Sequence, residues 1–225
     1  MKKSDYALLE NYMLSCMSDC AHDREHIYRV LYTALDIAGY EEGVDTGLLI
    51  AACLLHDIGR PEQYENPALC HAATGAKKAH AFLTKNGYSE DFARRTADCI
   101  HTHRYRAANP PQSIEAKILF DADKLEAAGA LGIARTLLYC GQMNEPLYRL
   151  DKNGEVSDGS ADSSPSFFSE YKFKLEGLYT RFYTKRGTEL ARQRQQAAAV
   201  FYEKTLQEIK AACRMKAKLF AELLQ

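Results

Sequence analysis

An imidazole and a carboxylate stand side by side at His56-Asp57, where the apolar run Leu48 to Leu55 ends just before Gly59 and Pro61. The run reads as a buried helix that stops immediately after the pair. Neighbouring side chains on a helix point about 100° apart, so one small object touches both only at a helix end or break. A divalent cation is such an object, because imidazole nitrogen and carboxylate oxygen both ligate Zn, Mn or Fe. The plain alternative is that His56 caps the helix and Asp57 opens the turn. The dipeptide alone leaves both readings open, and its partners elsewhere must decide.

Those partners fall into a few short stretches. Upstream lies His22-Asp23-Arg24-Glu25-His26, with Arg29 three residues beyond His26 on the same helical face. Downstream come His71, then His101-Thr102-His103, then Asp121-Ala122-Asp123-Lys124-Leu125. Six of the 7 histidines therefore sit in four clusters, each on or beside an amphipathic stretch. With an Asp-x-Asp added, that grouping favours a shared site over histidines buried singly in a core.

The elements that must position these residues are helical. Amphipathic stretches cover 5–20 and 22–38, Asp45-Thr46 offers an N-cap for 47–57, and further helical patterns cover 69–86, 89–103 and 113–141. The last should bend near Gly129-Gly132, and Asn109-Pro110-Pro111 is a firm break. Period-two clusters of β-branched residues are missing, so the fold is expected to be all-α. Residues 151–166 are rich in Gly, Ser and Asp and read as a mobile loop, either a solvated connector or a lid. Two more helices follow, over 167–185 and 187–224, and are expected to pack on a core spanning about 20–140 of a single domain.

Composition narrows the function classes. The chain has 225 residues, 46% hydrophobic and 26% charged, with a formal net charge of −1. Such a balance offers no general attraction for a nucleic-acid polymer or an anionic membrane. The 7 cysteines are odd in number and contain no Cys-x-x-Cys, as expected of reduced thiols in a cytoplasmic protein. Cys16 and Cys20 with His22 and His26 have zinc-like spacing, but both cysteines fit a helical face equally well. Lys2-Lys3 starts like a signal sequence, yet Asp5 and Glu10 interrupt the apolar stretch that should follow.

Taken together, the motifs resemble the HD-domain metal-dependent phosphohydrolases, and most closely a branch of uncharacterised bacterial HD hydrolases. The resemblance rests on His26 in His-x-x-Arg-Val, on His56-Asp57, on Asp123 in Ala-Asp-Lys-Leu, and on Gly129 to Arg135. His22-Asp23 before the first ligand and Glu126, where the branch often has Asp, extend it. It covers roughly 20–210, although a histidine usual before Lys174-Leu175 is replaced around Glu170 or Tyr171.

The resemblance implies an HD-type helical bundle with additional C-terminal helices. It implies His26, His56, Asp57 and Asp123 as ligands of one divalent transition metal, Mn, Fe, Co, Ni or Zn. Asp121, two residues earlier on the helix, points roughly 200° away and is expected behind the ligands, as are His22 and Asp23. Asp57, His71 and His101 are the expected catalytic groups, with a second metal held through His71 and His101 as the alternative. Arg29, Lys124, Arg104 and Arg135 are candidates to neutralise phosphate. The expected substrate is a small phosphorylated metabolite, a nucleotide first of all.

Two rival readings stand beside this one. His22-x-x-Glu25-His26 has the spacing of an inverted zinc-peptidase motif, with Glu25 as base. A non-catalytic nucleotide sensor could retain the same pocket for binding alone.

Overall fold

The computed structural model describes residues 1–17, 24–104 and 109–219. His22 and Asp23, expected beside the first ligand, lie outside the described residues, as does Cys20. Among the described residues the structure is all-α, and its β pairing is one isolated bridge between Leu150 and Val156. The chain divides into two compact units, Met1–Glu126 with Phe182–Gly187, and Ala127–Arg181 with Thr188–Gln225.

The first unit contains α1 (Lys3–Cys16), α2 (Arg24–Ala38), α3 (Thr46–Leu55), α4 (Arg60–Glu65), α5 (His71–Lys85), α6 (Glu90–Thr102) and α7 (Ile114–Leu125). Its centre is α3, buried at every position from Leu48 to Leu55 except Ile50 and packed by α1, α2, α6 and α7. Each buried leucine contributes about 2 kcal/mol, which is why so apolar a helix takes the middle. The Asp45 carboxylate accepts from Leu48 N at 3.1 Å and caps α3, while Ser89 and Ser113 cap α6 and α7 in the same way.

After α3 the chain turns sharply, and Gly59 leads into α4. A Cβ on Gly59 would lie 2.3 Å from His71 O and 2.5 Å from Gly75 N. Its φ of −94° is ordinary, so what this position demands is room rather than a special conformation. The start of α5 is thereby pressed against the turn that carries His56 and Asp57.

The second unit contains α8 (Gly129–Gln142), α9 (Phe167–Glu170) running on into a π-helical turn over Tyr171–Leu175, a 3-10 turn at Leu178–Thr180, and most of α10 (Lys185–Lys218). The expected bend after α7 is a break, with Gly129 at φ +67° opening α8. Where one helix is expected over 167–185, short turns stand instead. The core of this unit gathers Phe167, Phe168, Leu175 and Ala198, with Tyr171 stacked on Tyr202 at 4.1 Å.

Residues 151–166, expected to be a loop, form a series of turns. Asp151 N donates to Glu155 O at 2.8 Å and Ser157 N to Arg149 O at 3.0 Å, and Val156 is buried. Asp151 Oδ1 accepts from the backbone of Asn153 and Glu155, and Ser157 Oγ donates to Asp162. The Asp and Ser content thus makes turns here, since these side chains satisfy local backbone groups. No helix among the described residues is long and apolar enough to cross a membrane.

The close approach at Gly59 yields a direct test. Gly59→Ala should destabilise the protein by about 1–3 kcal/mol through overpacking. Gly141→Ala, on α8 with nothing within 4 Å of the added methyl, should leave stability unchanged or slightly raised. Chemical denaturation of both variants measures the difference.

Candidate metal centre

His56 occupies the C-cap of α3, and its Nδ1 lies 2.7 Å from Cys53 O. A carbonyl can only accept, so Nδ1 carries the proton and Nε2 keeps its lone pair. Capping and ligation, the two readings of this residue, would therefore fall to opposite edges of one ring. His103 repeats the device at the C-cap of α6, with Nδ1 2.6 Å from Ile100 O. His71, the first residue of α5, donates from Nδ1 to Gln63 Oε1 at 2.6 Å. His26, in the first turn of α2, has its Nδ1 3.2 Å from Glu126 Oε2.

The remaining ring nitrogens converge on two carboxylates. His26 Nε2 lies 3.3 Å from Asp123 Oδ1 and 3.7 Å from Asp57 Oδ2. His56 Nε2 lies 3.8 Å and 3.7 Å from the same two oxygens. On the other side of Asp57, Oδ1 is 3.6 Å from His71 Nε2 and 3.7 Å from His103 Nε2. Two groups of ligand atoms result, His26–His56–Asp123 and Asp57–His71–His103, each with its atoms within 4.8 Å of one another. Asp57 faces both.

This donor set fits a divalent metal. His56 Nε2 and Asp57 Oδ2 are buried and have no hydrogen-bond partner among the described residues. In the second group, His71 Nε2 and His103 Nε2 stand 3.3 Å apart with both ring protons committed elsewhere. Two such nitrogens facing each other beside a carboxylate suit a cation between them.

The electrostatics suit ligation at every group but His26. Burial pushes His56 down to about 4. Burial, and then the Arg60 guanidinium, bring His71 down to about 3. Burial would also lower His26, but hydrogen bonds to Asp123 and Glu126 outweigh it and raise the ring to about 9. Asp57 would be raised by burial, yet His56, Arg60 and His103 hold it well below the usual carboxylate range. Asp123 is likewise lowered, against burial, by its hydrogen bond to His26. Both carboxylates are thus anionic, and His56 and His71 are neutral, the protonation states that ligation requires, whereas His26 must give up a proton to ligate.

Other expected residues fall in several places. His101 is exposed and lines a surface groove with Arg94, Arg95 and Gln112, while His103, two residues on, stands at the centre. The physical reason is the end of α6, where only the C-cap position turns its ring inward. Asp121 faces away from the cluster and accepts from Tyr183 N at 2.9 Å, Thr184 N at 2.7 Å and Thr184 Oγ1 at 2.6 Å, anchoring the start of α10. Arg29 is engaged by Glu126, with Nη2 2.9 Å from Oε2. Lys124 lies over the Phe120 ring at 4.3 Å. Arg104 sits beside the Cys70 thiol, next to His71. Arg135 belongs to α8 in the second unit. Glu25 is largely exposed and pairs with Arg24 at 3.4 Å, so it is not placed as the base of a peptidase.

Besides His103, three roles escaped the sequence reading, that of Glu126 although its position in the motif was noted. Arg60 Nε holds Asp57 Oδ1 at 2.9 Å, Gln63 orients His71, and Glu126 orients His26. Arg60 and Glu126 had a signal, each lying three residues beyond a recognised ligand on a helix or turn. Gln63 had none.

Comparison with known proteins agrees with this geometry. Residues 24–128 match the family model described as the HD domain. The chain is 28% identical to the uncharacterised protein YpgQ of Bacillus subtilis over 177 residues, 77% of each chain. The structure of B. subtilis YpgQ in complex with ADP superposes with a TM-score of 0.69 at 25% identity, covering 91% of this chain and 97% of that one. An HD-superfamily hydrolase from Bacillus thuringiensis gives a TM-score of 0.72 at 25% identity, covering 94% and 100%. The paired histidines and aspartates all lie inside the segment that matches the HD domain, and over most of its length the chain is similar to structures of HD-superfamily proteins.

Proposed function

We propose that this protein is a metal-dependent phosphohydrolase that cleaves a phosphoester or phosphoanhydride of a small phosphorylated metabolite, a nucleotide first of all. The observation that carries the reading is the pair of buried, unpartnered ligand atoms, His56 Nε2 and Asp57 Oδ2, set among His26 and Asp123. His26, His56, Asp57 and Asp123 would hold one ion, and Asp57, His71 and His103 a second. Such ions supply Lewis acidity, lowering the pKa of water from ~16 toward ~7 and polarising a phosphoryl oxygen.

The chain's own groups do the rest. Arg60 fixes one oxygen of Asp57, leaving the other directed at His26 and His56. His71, neutral near pH 7 and tied to Gln63, is suited to donate a lone pair and poorly suited to act as a general acid. Arg104 beside His71 brings positive charge to where phosphate oxygens would gain negative charge, while Lys124 is drawn over the Phe120 ring. The nucleotide preference is supported by the ADP bound to B. subtilis YpgQ. A net charge of −1 supports a small substrate over a long polyanion, which binds by displacing many counterions.

Turnover of a nucleotide panel by Mn²⁺-loaded protein tests the reaction class. Activity should fall at least about 10³-fold in Asp57→Asn, the carboxylate shared by both groups, and should vanish with a chelator. A wild-type protein that binds Mn²⁺ yet hydrolyses no phosphoester would favour the sensor reading.

Metal content tests the arrangement. Two ions per chain are expected in the wild type and in His101→Ala, but one in His103→Ala. Equal metal content in the two histidine variants would remove His103 from the centre.

Arg104→Ala should cost about 1.5–3 kcal/mol in kcat/KM if its guanidinium binds phosphate. Unchanged kinetics would take it out of the substrate site.

A further inference from the structure

His26 differs from the other histidines of the centre in how its ring is held. His56 and His103 sit at helix C-ends, where free carbonyls accept their Nδ1 protons. His26 lies in the first turn of α2, where the unpaired backbone groups are N–H donors. Its acceptor must therefore come from another element. That acceptor is Glu126 Oε2, 3.2 Å away at the C-cap of α7, three residues beyond Asp123.

We propose that Glu126 is a positioning residue of the metal centre, accepting the Nδ1 proton of His26 so that the opposite nitrogen is presented toward Asp123 and Asp57. The inference rests on the metal-dependent reading above. One helix end, α7, thus holds both edges of the His26 ring, Glu126 at Nδ1 and Asp123 at Nε2. Arg29, three residues after His26 on α2, keeps Glu126 in place: Nε lies 3.2 Å from Oε1 and 3.0 Å from Oε2, and Nη2 lies 2.9 Å from Oε2. A planar guanidinium against a carboxylate fixes orientation as well as position. Glu126 and His26 are 5% and 4% exposed, so water does not substitute for either partner. An ion pair serving stability alone would need only Arg29 and Glu126. The same carboxylate oxygen is also aimed at a ligand ring, and carboxylates placed so behind metal-bound histidines raise metal affinity.

The test is Mn²⁺ affinity, read from the EPR signal of free Mn²⁺ and independent of turnover, on full-length wild type, Glu126→Ala and Glu126→Asp. Glu126→Ala should weaken binding about 10–100-fold, and Glu126→Asp should recover most of the loss. A folded Glu126→Ala protein with lowered thermal stability but wild-type Mn²⁺ affinity would overturn the proposal and leave Glu126 a structural ion-pair partner. Should Glu126→Ala not fold, Glu126→Gln decides by ¹⁵N spectra of the Cd²⁺-loaded protein. The wild type should show His26 protonated at Nδ1 and ligated at Nε2, and the substitution should shift the Nδ1 resonance; an unmoved resonance contradicts the assignment. Wild-type protein that binds no Mn²⁺ would overturn the metal reading itself, and this inference with it.

Discussion

The centre depends on how closely two stretches of backbone approach. Gly59 leaves space that the start of α5 fills, with His71 O and Gly75 N standing where a side chain would otherwise be. That contact brings His71 to Asp57, and it places Gln63 on α4 beside the ring it orients. Lys78, two turns along α5, donates to Ile58 O at 2.7 Å and ties the same turn from the other side. Without room at Gly59, α5 would stand away from α3 and the second group of ligand atoms would not form.

Around that contact the helix ends do the chemical preparation. A helix C-terminus leaves carbonyls unpaired, and a histidine placed there can satisfy one while exposing its second nitrogen. His56 and His103 both use this arrangement, and in each the tautomer follows from the carbonyl. Concentrating lone pairs and carboxylates inside an apolar unit is unfavourable, since each buried charge costs several kcal/mol when unpaired. Arg60 against Asp57 and Arg29 against Glu126 offset part of that cost. The rest is held by the packing of α3 with its neighbours.

How much of this could be read beforehand varied by residue. The all-α architecture followed from helical period throughout, while the glycines after α7 announced a bend where the chain in fact breaks. His26, His56, Asp57 and Asp123 were legible because their motifs encode both chemistry and place on a helix, and the structure brings the four together. His103 was not, because choosing it over His101 requires the exact end of α6, and sequence places helix ends only to within a few residues. Asp121 was set apart by its angle on the helix, but its partners Tyr183 and Thr184 lie more than sixty residues away and no local pattern announces them. For residues 151–166 composition gave the loop but not its turns, which rest on bonds from Asp151 and Ser157.

The central claim is that water attacks phosphorus at this cluster, and isotope transfer tests it most directly. ATP or ADP is incubated with Mn²⁺-loaded protein in H₂¹⁸O and the products are weighed by mass spectrometry. The account predicts one ¹⁸O in a phosphoryl product for each bond cleaved. Protein that holds its metal and releases no ¹⁸O-labelled product from any nucleotide or phosphoester offered would contradict it.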